Sequence, residues 1–335
     1  MNDPLVSIVI PTFNRASFLP RAIASVEVQT FSDWEIVLVD DGSTDDTGSL
    51  MSKYAARPGS RIQCIRQSHA GVGAARNRGI EAARGRFIAF LDSDDEYLPQ
   101  KLERQLALFQ LRPELGLVYS DYAFVDVDGE RHESVFNTLG RLALEVPCEE
   151  AAPGLYVCQG SLFDTLIRGY FIATIVGMVR REVLGSTIRF PVDLSYAEEW
   201  LFYLKVAQVC EAGFVDEPLC LHHAVDGSLA RTDRQRNTLR YRELLRAMRT
   251  SLPGLNRRHR GIIAANLAAT SLQLGYDAFK AGRFGQAQRH FFESFVNKPR
   301  LHTLLDLLQS AACRLTRRCG KTPLPGPQDG PKPVR

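Results

Sequence analysis

Long apolar runs and paired cysteines are both missing from this 335-residue sequence. No uninterrupted apolar stretch reaches about 18 residues, so we expect no membrane-spanning helix. The N-terminus lacks the basic start, the longer apolar run and the cleavage site of a secretory signal. The seven cysteines are scattered and never spaced C-x-x-C, which predicts neither a disulfide framework nor a zinc site. We therefore expect a cytoplasmic protein.

Acidic residues are scarce in the last third of the chain. Residues 231–335 contain 21 Lys and Arg against 6 Asp and Glu, a net charge of +15. Residues 1–230 contain 20 Lys and Arg against 32 Asp and Glu, a net charge of −12. A basic region of this size indicates an anionic surface as partner, either a membrane or a nucleic acid. The alternative is a solvated helical face.

The first 120 residues alternate short apolar runs with helical patterns. The strand candidates are Val6–Ile10, Glu35–Val39, Arg61–Arg66, Arg86–Leu91 and Leu115–Ser120. Between the first two, apolar residues recur at helical spacing from Phe18 to Val26, with Ser17 as the expected N-cap. Strands that alternate with helices of about ten to fifteen residues predict right-handed βαβ units and a parallel sheet.

Beyond residue 235 the pattern is helical throughout and rich in arginine. Residues 278–299 resemble one tetratricopeptide-type helical hairpin, which must pack on neighbouring helices because one such unit cannot bury its own apolar face. The segment from Lys321 is rich in proline and glycine, and we expect it to be disordered. We predict one domain over residues 1–235, a basic helical extension over 236–318 and a tail over 319–335.

The sequence Asp92-Ser93-Asp94-Asp95 directly follows the apolar run Phe87–Leu91. Its carboxylates are therefore expected just past the carboxyl end of a buried strand, where ligands bind in open α/β sheets. Carboxylates this close repel one another unless a cation lies between them, and hard oxygen ligands beside a diphosphate suit Mg²⁺ or Mn²⁺. The alternative is an acidic, solvated turn or a helix N-cap.

Two further strand ends carry polar motifs. Asp41 follows a buried strand, and an Asp here can accept hydrogen bonds from a ribose hydroxyl or a base imide, although helix capping alone is the alternative. The segment Pro11–Arg15 ends the first strand and offers backbone groups and Thr12 to a nucleotide. Because parallel strands end at the same edge of a sheet, the three strand ends together predict one site.

These motifs, in this order and spacing, resemble family 2 glycosyltransferases of the GT-A fold. The resemblance is carried by VSIVIPTFNRASFLPRAIASVEVQTFSDWEIVLVDDGSTDDT, by GVGAARNRGIEAARGRFIAFLDSDD and by residues 171–207, and it covers roughly residues 5–230. It implies an α/β, GT-A (Rossmann-like) domain with a mainly parallel sheet and helices on both faces, followed here by the C-terminal helical extension. It also implies an inverting transfer from a nucleoside-diphosphate sugar, usually a uridine donor, assisted by a divalent cation.

The resemblance assigns particular residues to the donor. The predicted donor-nucleotide residues are Pro11, Thr12, Asn14, Arg15, Asp41, Arg76, Asp92 and Ser93. Among them, Pro11, Thr12 and Asp41 would line the nucleobase and ribose, and Arg76 would help to hold the nucleotide. Asp92 would face the ribose. Asp94, with Asp92, would be the metal ligand for Mn²⁺ or Mg²⁺.

The family also places an acidic pair, typically Glu-Asp followed by Trp, at the start of a late helix. Here the pair is Glu198-Glu199 before Trp200, so Glu199 stands where Asp is usual and its longer side chain changes the reach to the acceptor hydroxyl. We interpret Glu199, with Glu198 beside it, as the catalytic base. The alternative is that both complement the helix N-terminus. His222 and His223 stand where the family often has Arg, and at most one is expected to face the site.

We therefore predict an inverting, metal-dependent glycosyltransferase that moves a sugar from a nucleoside-diphosphate donor to a hydroxyl of a glycan or lipid-linked acceptor in surface polysaccharide synthesis. A UDP-sugar is the expected donor. The basic helices fit peripheral attachment to the cytoplasmic face of an anionic membrane, and no nucleic acid is expected as partner. The competing functions are a sugar-phosphate nucleotidyltransferase, which would need a Gly-rich phosphate loop after the first strand, and a non-enzymatic sugar-nucleotide-binding scaffold.

Overall fold

The computed structural model describes residues 3–132, 134, 145–225 and 234–316. The chain divides into two compact units, Met1–Ser228 and Leu229–Arg335. The predicted tail, 319–335, lies outside the described residues. Within the residues that are described, no helix combines the length and the apolar character needed to cross a bilayer.

The strands of the first unit include all five that the sequence predicts. They are β1 (Val6–Thr12), β2 (Trp34–Asp40), β3 (Ile62–Arg66), β4 (Phe87–Phe90), β5 (Glu96–Tyr97), β6 (Leu115–Val125), β7 (Arg131–His132), β8 (Cys148–Ala152), β9 (Leu155–Cys158), β10 (Met178–Arg180) and β11 (Glu211–His223). The helices are α1 (Leu19–Glu27), α2 (Thr47–Ala55), α3 (Val72–Ala82), α4 (Lys101–Leu111), α5 (Leu162–Leu166), α6 (Arg181–Leu184) and α7 (Glu198–Ala207).

The sheet runs in the order β3-β2-β1-β4-β10-β6-β11-β9-β8. Its first four strands are parallel, whereas β10 is antiparallel to both β4 and β6. The chain moves outward from β1 to β3 and then returns to β4, so right-handed crossovers place α1 and α2 on one face and α3 on the other. The predicted α/β architecture is confirmed, and the strand order reverses between β1 and β4, where ligands bind in such sheets.

The core explains why these segments are strands. Every residue of β1 and β2 is buried, as expected for strands covered by helices on both faces. Helix α3 approaches β1 so closely that a Cβ at Gly79 would clash with a methyl carbon of Val9. The predicted N-cap, Ser17, is wrong by one position: Phe18 is the N-cap of α1, and its ring has no atom that could accept a hydrogen bond from the helix. Pro20, in the first turn, lacks an N–H and so leaves one amide fewer to be satisfied.

The second unit is helical. Its described helices are α8 (Arg234–Ser251), α9 (Arg257–Lys280), α10 (Phe284–Asn297) and α11 (Leu301–Thr316). Helices α9 and α10 are joined at Gly282, whose φ of 71° is a left-handed conformation that glycine adopts freely. The segment 278–299, in which the sequence predicts a tetratricopeptide-type hairpin, holds only the end of α9 together with α10, and that prediction stays a prediction. Phe291 is fully buried against Gly275, which has no side chain to keep the two helices apart.

Candidate active site

The carboxyl ends of β1, β2 and β4 lie side by side at one edge of the sheet. Thr12 of β1 is in register with Asp40 of β2, and Val9 of β1 is in register with Phe90 of β4. The Asp41 N–H donates to the Thr12 carbonyl at 2.9 Å. The three motifs that follow these strands are therefore adjacent.

Asn14 joins the first motif to the second. Its φ of 53° is a left-handed conformation that Asn tolerates better than most residues. Its side-chain carbonyl accepts a hydrogen bond from the Thr44 N–H at 2.8 Å, and its own N–H donates to the Ser43 hydroxyl at 2.9 Å. Arg15 reaches the third motif, because its Nε lies 3.5 Å from Asp94 Oδ2. Asn14 is thus a link between loops, while Arg15 faces the acidic motif.

Asp41 is almost fully buried and holds the loop that follows β3. Its Oδ1 accepts the Ala70 N–H and its Oδ2 accepts the Gly71 N–H, each at 2.8 Å. His69 Nδ1 lies 2.9 Å from the same Oδ2. The carboxylate therefore fixes this loop, and its predicted contact with the nucleotide stays a prediction.

Pro11 and Thr12 end β1 and are both buried. In the described part of the chain the Thr12 hydroxyl has no hydrogen-bond partner, although such a buried group costs free energy when it is unsatisfied. Beside it, the half-exposed Phe13 stacks on His69 with ring centroids 4.3 Å apart. An aromatic face and an unsatisfied hydroxyl thus lie together at the end of β1, where the nucleobase is predicted.

The acidic motif after β4 holds carboxylates in different environments. Burial and the charges of Asp95 and Asp92 raise the pKa of Asp94 to about 6, although Arg15 acts in the opposite direction. Ser93 is buried beside them. Neighbouring carboxylates disfavour the charged form of a carboxylate, and a cation bound between them favours it. The oxygen donors at Asp92 and Asp94 therefore suit a hard divalent ion such as Mg²⁺ or Mn²⁺.

Asp95 is buried and ties this motif to the end of β11. It accepts the His223 backbone N–H at 2.9 Å, and its other oxygen lies 3.1 Å from His222 Nδ1. The Asp95 charge, opposed by burial, raises the pKa of His222 to about 9, so His222 is protonated at neutral pH. His223 Nε2 lies 2.7 Å from Glu96 Oε1. The two adjacent histidines diverge, as the strand predicts, yet each contacts a carboxylate of the acidic segment.

Arg76 of α3 joins the acidic motif to the acidic pair. Its guanidinium is buried, and it donates to Asp92 Oδ1 at 2.7 Å and to Glu198 Oε1 at 2.6 Å. Burial acts to lower the pKa of Arg76, but the charges of Asp92 and Glu198 raise it above its ordinary value. Arg76 therefore forms ion pairs with two carboxylates. The role of Arg76 in holding the nucleotide stays a prediction.

Glu198 and Glu199 occupy the first turn of α7, which follows the left-handed Ala197 (φ 49°). Glu198 is buried in its ion pair with Arg76, whereas Glu199 is partly exposed and accepts a hydrogen bond from the Tyr170 hydroxyl at 2.7 Å. Burial and the charge of Glu198 raise the pKa of Glu199 to about 7. A carboxylate that titrates near neutral pH is suited to accept a proton. Of the two glutamates, Glu198 is thus held in an ion pair, whereas Glu199 is suited to act as a base.

The sequence of this chain is similar to those of known proteins. Residues 7–152 match the profile described as Glycosyl transferase family 2. For this part of the chain, the match supports the family resemblance that the sequence motifs indicate. The chain is 31% identical over 223 residues to an uncharacterized glycosyltransferase of Rickettsia conorii, over 65% of this chain and 33% of that protein. It is 37% identical over 127 residues to UDP-Glc:alpha-D-GlcNAc-diphosphoundecaprenol beta-1,3-glucosyltransferase WfgD of Escherichia coli, over 38% of this chain and 49% of that protein.

The chain thus spans about a third of the length of its Rickettsia conorii relative. Among solved structures, S. aureus TarS 1–349 in complex with UDP-GlcNAc has a TM-score of 0.64 at 16% identity, over 93% of this chain and 92% of that chain. The mannosyltransferase PcManGT from Pyrobaculum calidifontis, in complex with GDP-Man and Mn2+, has a TM-score of 0.56 at 17% identity, over 94% of this chain and 81% of that one. At such identities the likeness shows the fold, and it confirms the expected GT-A architecture.

The sequence does not predict three residues of the candidate site: Asp95, Tyr170 and Asn77. Asn77 accepts the Phe190 N–H and donates to the Phe190 carbonyl, both at 2.8 Å, which fixes the segment before the acidic pair. Asp95 belongs to the predicted motif, but nothing in the motif indicates that it binds the end of β11. No sequence motif includes Tyr170, because only the folded chain brings its hydroxyl to Glu199.

A further group of possible metal ligands lies at the turn between β6 and β7. Asp126, Glu130 and His132 have ligand atoms within 4.8 Å of one another. The Asp126 carboxylate already accepts the N–H groups of Asp128 and Glu130, as in an ordinary turn, and Glu130 and His132 are exposed. This group is separate from the predicted Asp92 and Asp94 pair, and its geometry is that of a turn.

Proposed function

We propose that this chain is an inverting, metal-dependent glycosyltransferase that transfers a sugar from a nucleoside-diphosphate donor, in particular a UDP-sugar, to a hydroxyl of a glycan or lipid-linked acceptor in surface polysaccharide synthesis. The observation that carries the proposal is the environment of Glu199. It is a partly exposed carboxylate with a pKa of about 7, held by Tyr170. Its neighbour Glu198 is connected through Arg76 to the acidic motif. A base and a charged donor site are what a single displacement requires.

The donor side of the proposal rests on the three strand ends. Thr12 offers an unsatisfied hydroxyl to the base or ribose, and Phe13 offers an aromatic face. His222 is protonated at neutral pH and complements the negative charge of a diphosphate. Asp94, with Asp92, would hold Mn²⁺ or Mg²⁺, and such an ion supplies charge that offsets the leaving diphosphate.

The acceptor side of the proposal rests on Glu199. As the acceptor hydroxyl attacks the anomeric carbon, Glu199 takes its proton. The Tyr170 hydroxyl occupies Oε1 and thereby orients the carboxylate, which leaves Oε2 for the acceptor. The attack comes from the side opposite the leaving diphosphate, so an α-linked donor gives a β-linked product.

Relatives support the choice of substrates. The name of the Escherichia coli WfgD describes a UDP-Glc donor and a diphosphoundecaprenol-linked acceptor. The TarS structure holds UDP-GlcNAc, and the more distant mannosyltransferase structure holds GDP-Man. A uridine donor and a lipid-linked acceptor are therefore the first to be tested here, and such an acceptor would be met at the cytoplasmic face of a membrane.

The test is release of nucleoside diphosphate by the purified chain, with Mn²⁺ and a panel of sugar nucleotides. We expect Glu199→Gln and Asp94→Asn each to lower turnover by about 10² to 10⁴. The matched controls are Glu149→Gln and Asp126→Asn, which change exposed or turn-bound carboxylates elsewhere and should leave turnover unchanged. Turnover that survives both site variants would refute the assignment. Donor binding by calorimetry without any release would instead indicate a binding protein.

A further inference from the structure

The last described helix, α11, packs with its polar side inward. Thr303, Asp306 and Ser310 are 1%, 4% and 0% exposed, and their spacing of three and four residues places them on one side of the helix. Asp306 accepts a hydrogen bond from the Tyr276 hydroxyl of α9 at 2.7 Å. Ser310 donates to the Leu307 carbonyl of its own helix, and the Thr303 hydroxyl has no hydrogen-bond partner among the described residues. This polar side of α11 is therefore buried within the second unit, where Asp306 binds α9.

The other side of α11 is apolar and faces solvent. Leu301, Leu305 and Leu308 are 74%, 57% and 59% exposed, and they recur at i, i+4 and i+7. On α10, Phe292 and Val296, one turn apart, are 58% and 61% exposed. We call these five side chains the outer apolar face. A helix on the surface of a water-soluble protein normally buries such an apolar stripe. An exposed stripe of this kind therefore indicates a surface that binds a partner.

Basic side chains accompany the outer apolar face. Arg289 lies on the same side of α10 as its two exposed apolar residues, three and seven positions before them. Lys298 and Arg300 are exposed between α10 and α11. The nearby acidic groups are already engaged, Glu293 by two arginines of α8 and Asp306 by a tyrosine hydroxyl of α9. The charge beside the face is therefore positive and complements an anionic partner.

An arginine-lined cavity of about 590 Å³ lies at the start of α10. Its lining includes Arg283, Arg289 and Arg314 and contains no acidic residue. Helix α10 has neither a capping side chain nor an acidic residue in its first turn, and the Arg314 guanidinium lies against Gly285 in that turn. Cations at the positive end of a helix repel it and one another unless an anion lies among them. The cavity thus suits a phosphate group, and Arg289 belongs to both the cavity and the side of α10 that carries the apolar face.

We propose that the outer apolar face docks on the surface of an anionic phospholipid bilayer. The leucines of α11 enter the boundary between headgroups and acyl chains, and headgroup phosphates bind at the arginine-lined cavity. A second copy of the chain fits less well, since pairing of two such faces brings like charges together. The exposed large apolar residues described in the first unit are isolated on separate elements, so they offer no complementary apolar patch.

The test is sedimentation of the full chain with vesicles of phosphatidylcholine, alone or mixed with phosphatidylglycerol. We expect binding to the mixed vesicles that weakens with salt. Leu305→Ser combined with Leu308→Ser should lower vesicle partitioning by about tenfold for each leucine. Arg283→Gln combined with Arg289→Gln should weaken binding and flatten its salt dependence. The matched control is Leu111→Ser with Val209→Ser, two exposed apolar residues of the first unit, and it should bind like the parent chain.

Three results would overturn the docking proposal. They are the absence of binding to mixed vesicles at low salt, equal binding by the leucine variant and the control, and a dimer in light scattering that the leucine variant abolishes. Circular dichroism of each variant shows whether it is folded, and the replaced leucines are exposed, so their loss should not unfold the helix. Vesicle binding is measured without a sugar-nucleotide donor. A failure of the proposed transferase activity would therefore not affect the vesicle-binding result.

Discussion

Tyr170→Phe removes one oxygen atom from the group that holds Glu199. The hydroxyl donates to Glu199 Oε1 at 2.7 Å and favours the charged carboxylate. A hydrogen bond to a charged group contributes about 1.5 to 3 kcal/mol, which corresponds to about one or two pKa units. In the variant we therefore expect the pKa of Glu199 to rise by about one unit or more above its value of about 7.

The assay is the pH dependence of kcat/KM for donor and acceptor. If Glu199 is the base, the acidic limb of the profile for Tyr170→Phe should move to higher pH by about one unit or more. Turnover at pH 7 should fall about tenfold and recover at higher pH. Tyr54→Phe is the control, because Tyr54 is a buried tyrosine of α2 whose ring packs under an arginine away from the acidic pair. A uniformly lower rate with an unchanged acidic limb would refute the reasoning.

Three other changes have definite expected outcomes. Arg76→Met leaves the carboxylates of Asp92 and Glu198 without their buried partner and should lower the free energy of unfolding in urea by about 3 to 5 kcal/mol. Glu199→Gln should raise that free energy by about 1 to 3 kcal/mol at pH 8 and leave it unchanged at pH 4. The reason is that the folded pKa of about 7 exceeds the ordinary 4.5, so the parent chain loses stability as pH rises through this window. Asn14→Ala should cost about 2 kcal/mol in thermal unfolding, from a left-handed backbone and a lost acceptor, and Asn14→Gly should cost less because glycine adopts that backbone freely.

The first strands of the sheet and the polar motifs at their ends could be predicted because their signals are local. A continuous apolar run such as Val6–Ile10 indicates a strand buried on both faces, and the polar residues after it mark the strand end. Parallel pairing then brings such ends to one edge without further information. Arg15 and Asp94 are far apart in the chain and lie 3.5 Å apart for this reason.

The partners of each side chain could not be predicted in this way. The motif that assigns Arg76 to the nucleotide gives no sign that the fold places its guanidinium between Asp92 and Glu198. Nor does the position of Asp41 after a strand indicate that its carboxylate accepts two amides of a loop about thirty residues later in the chain. Such contacts depend on the angles and distances between helices and strands. The apolar periodicity of a single segment does not specify them.

By itself the sequence determined the alternation of strands and helices in the first 120 residues, the family resemblance and the strand ends that carry charge, because apolar period and motif spacing are properties of short segments. Only the tertiary structure decided how the acidic motif, Arg76, Glu198 and Glu199 are connected. It also decided that α11 turns its leucines outward, since an amphipathic pattern defines two faces but not which of them is buried. Burial and neighbouring charge, which set the pKa of Glu199 near neutrality, arise only when the chain is folded.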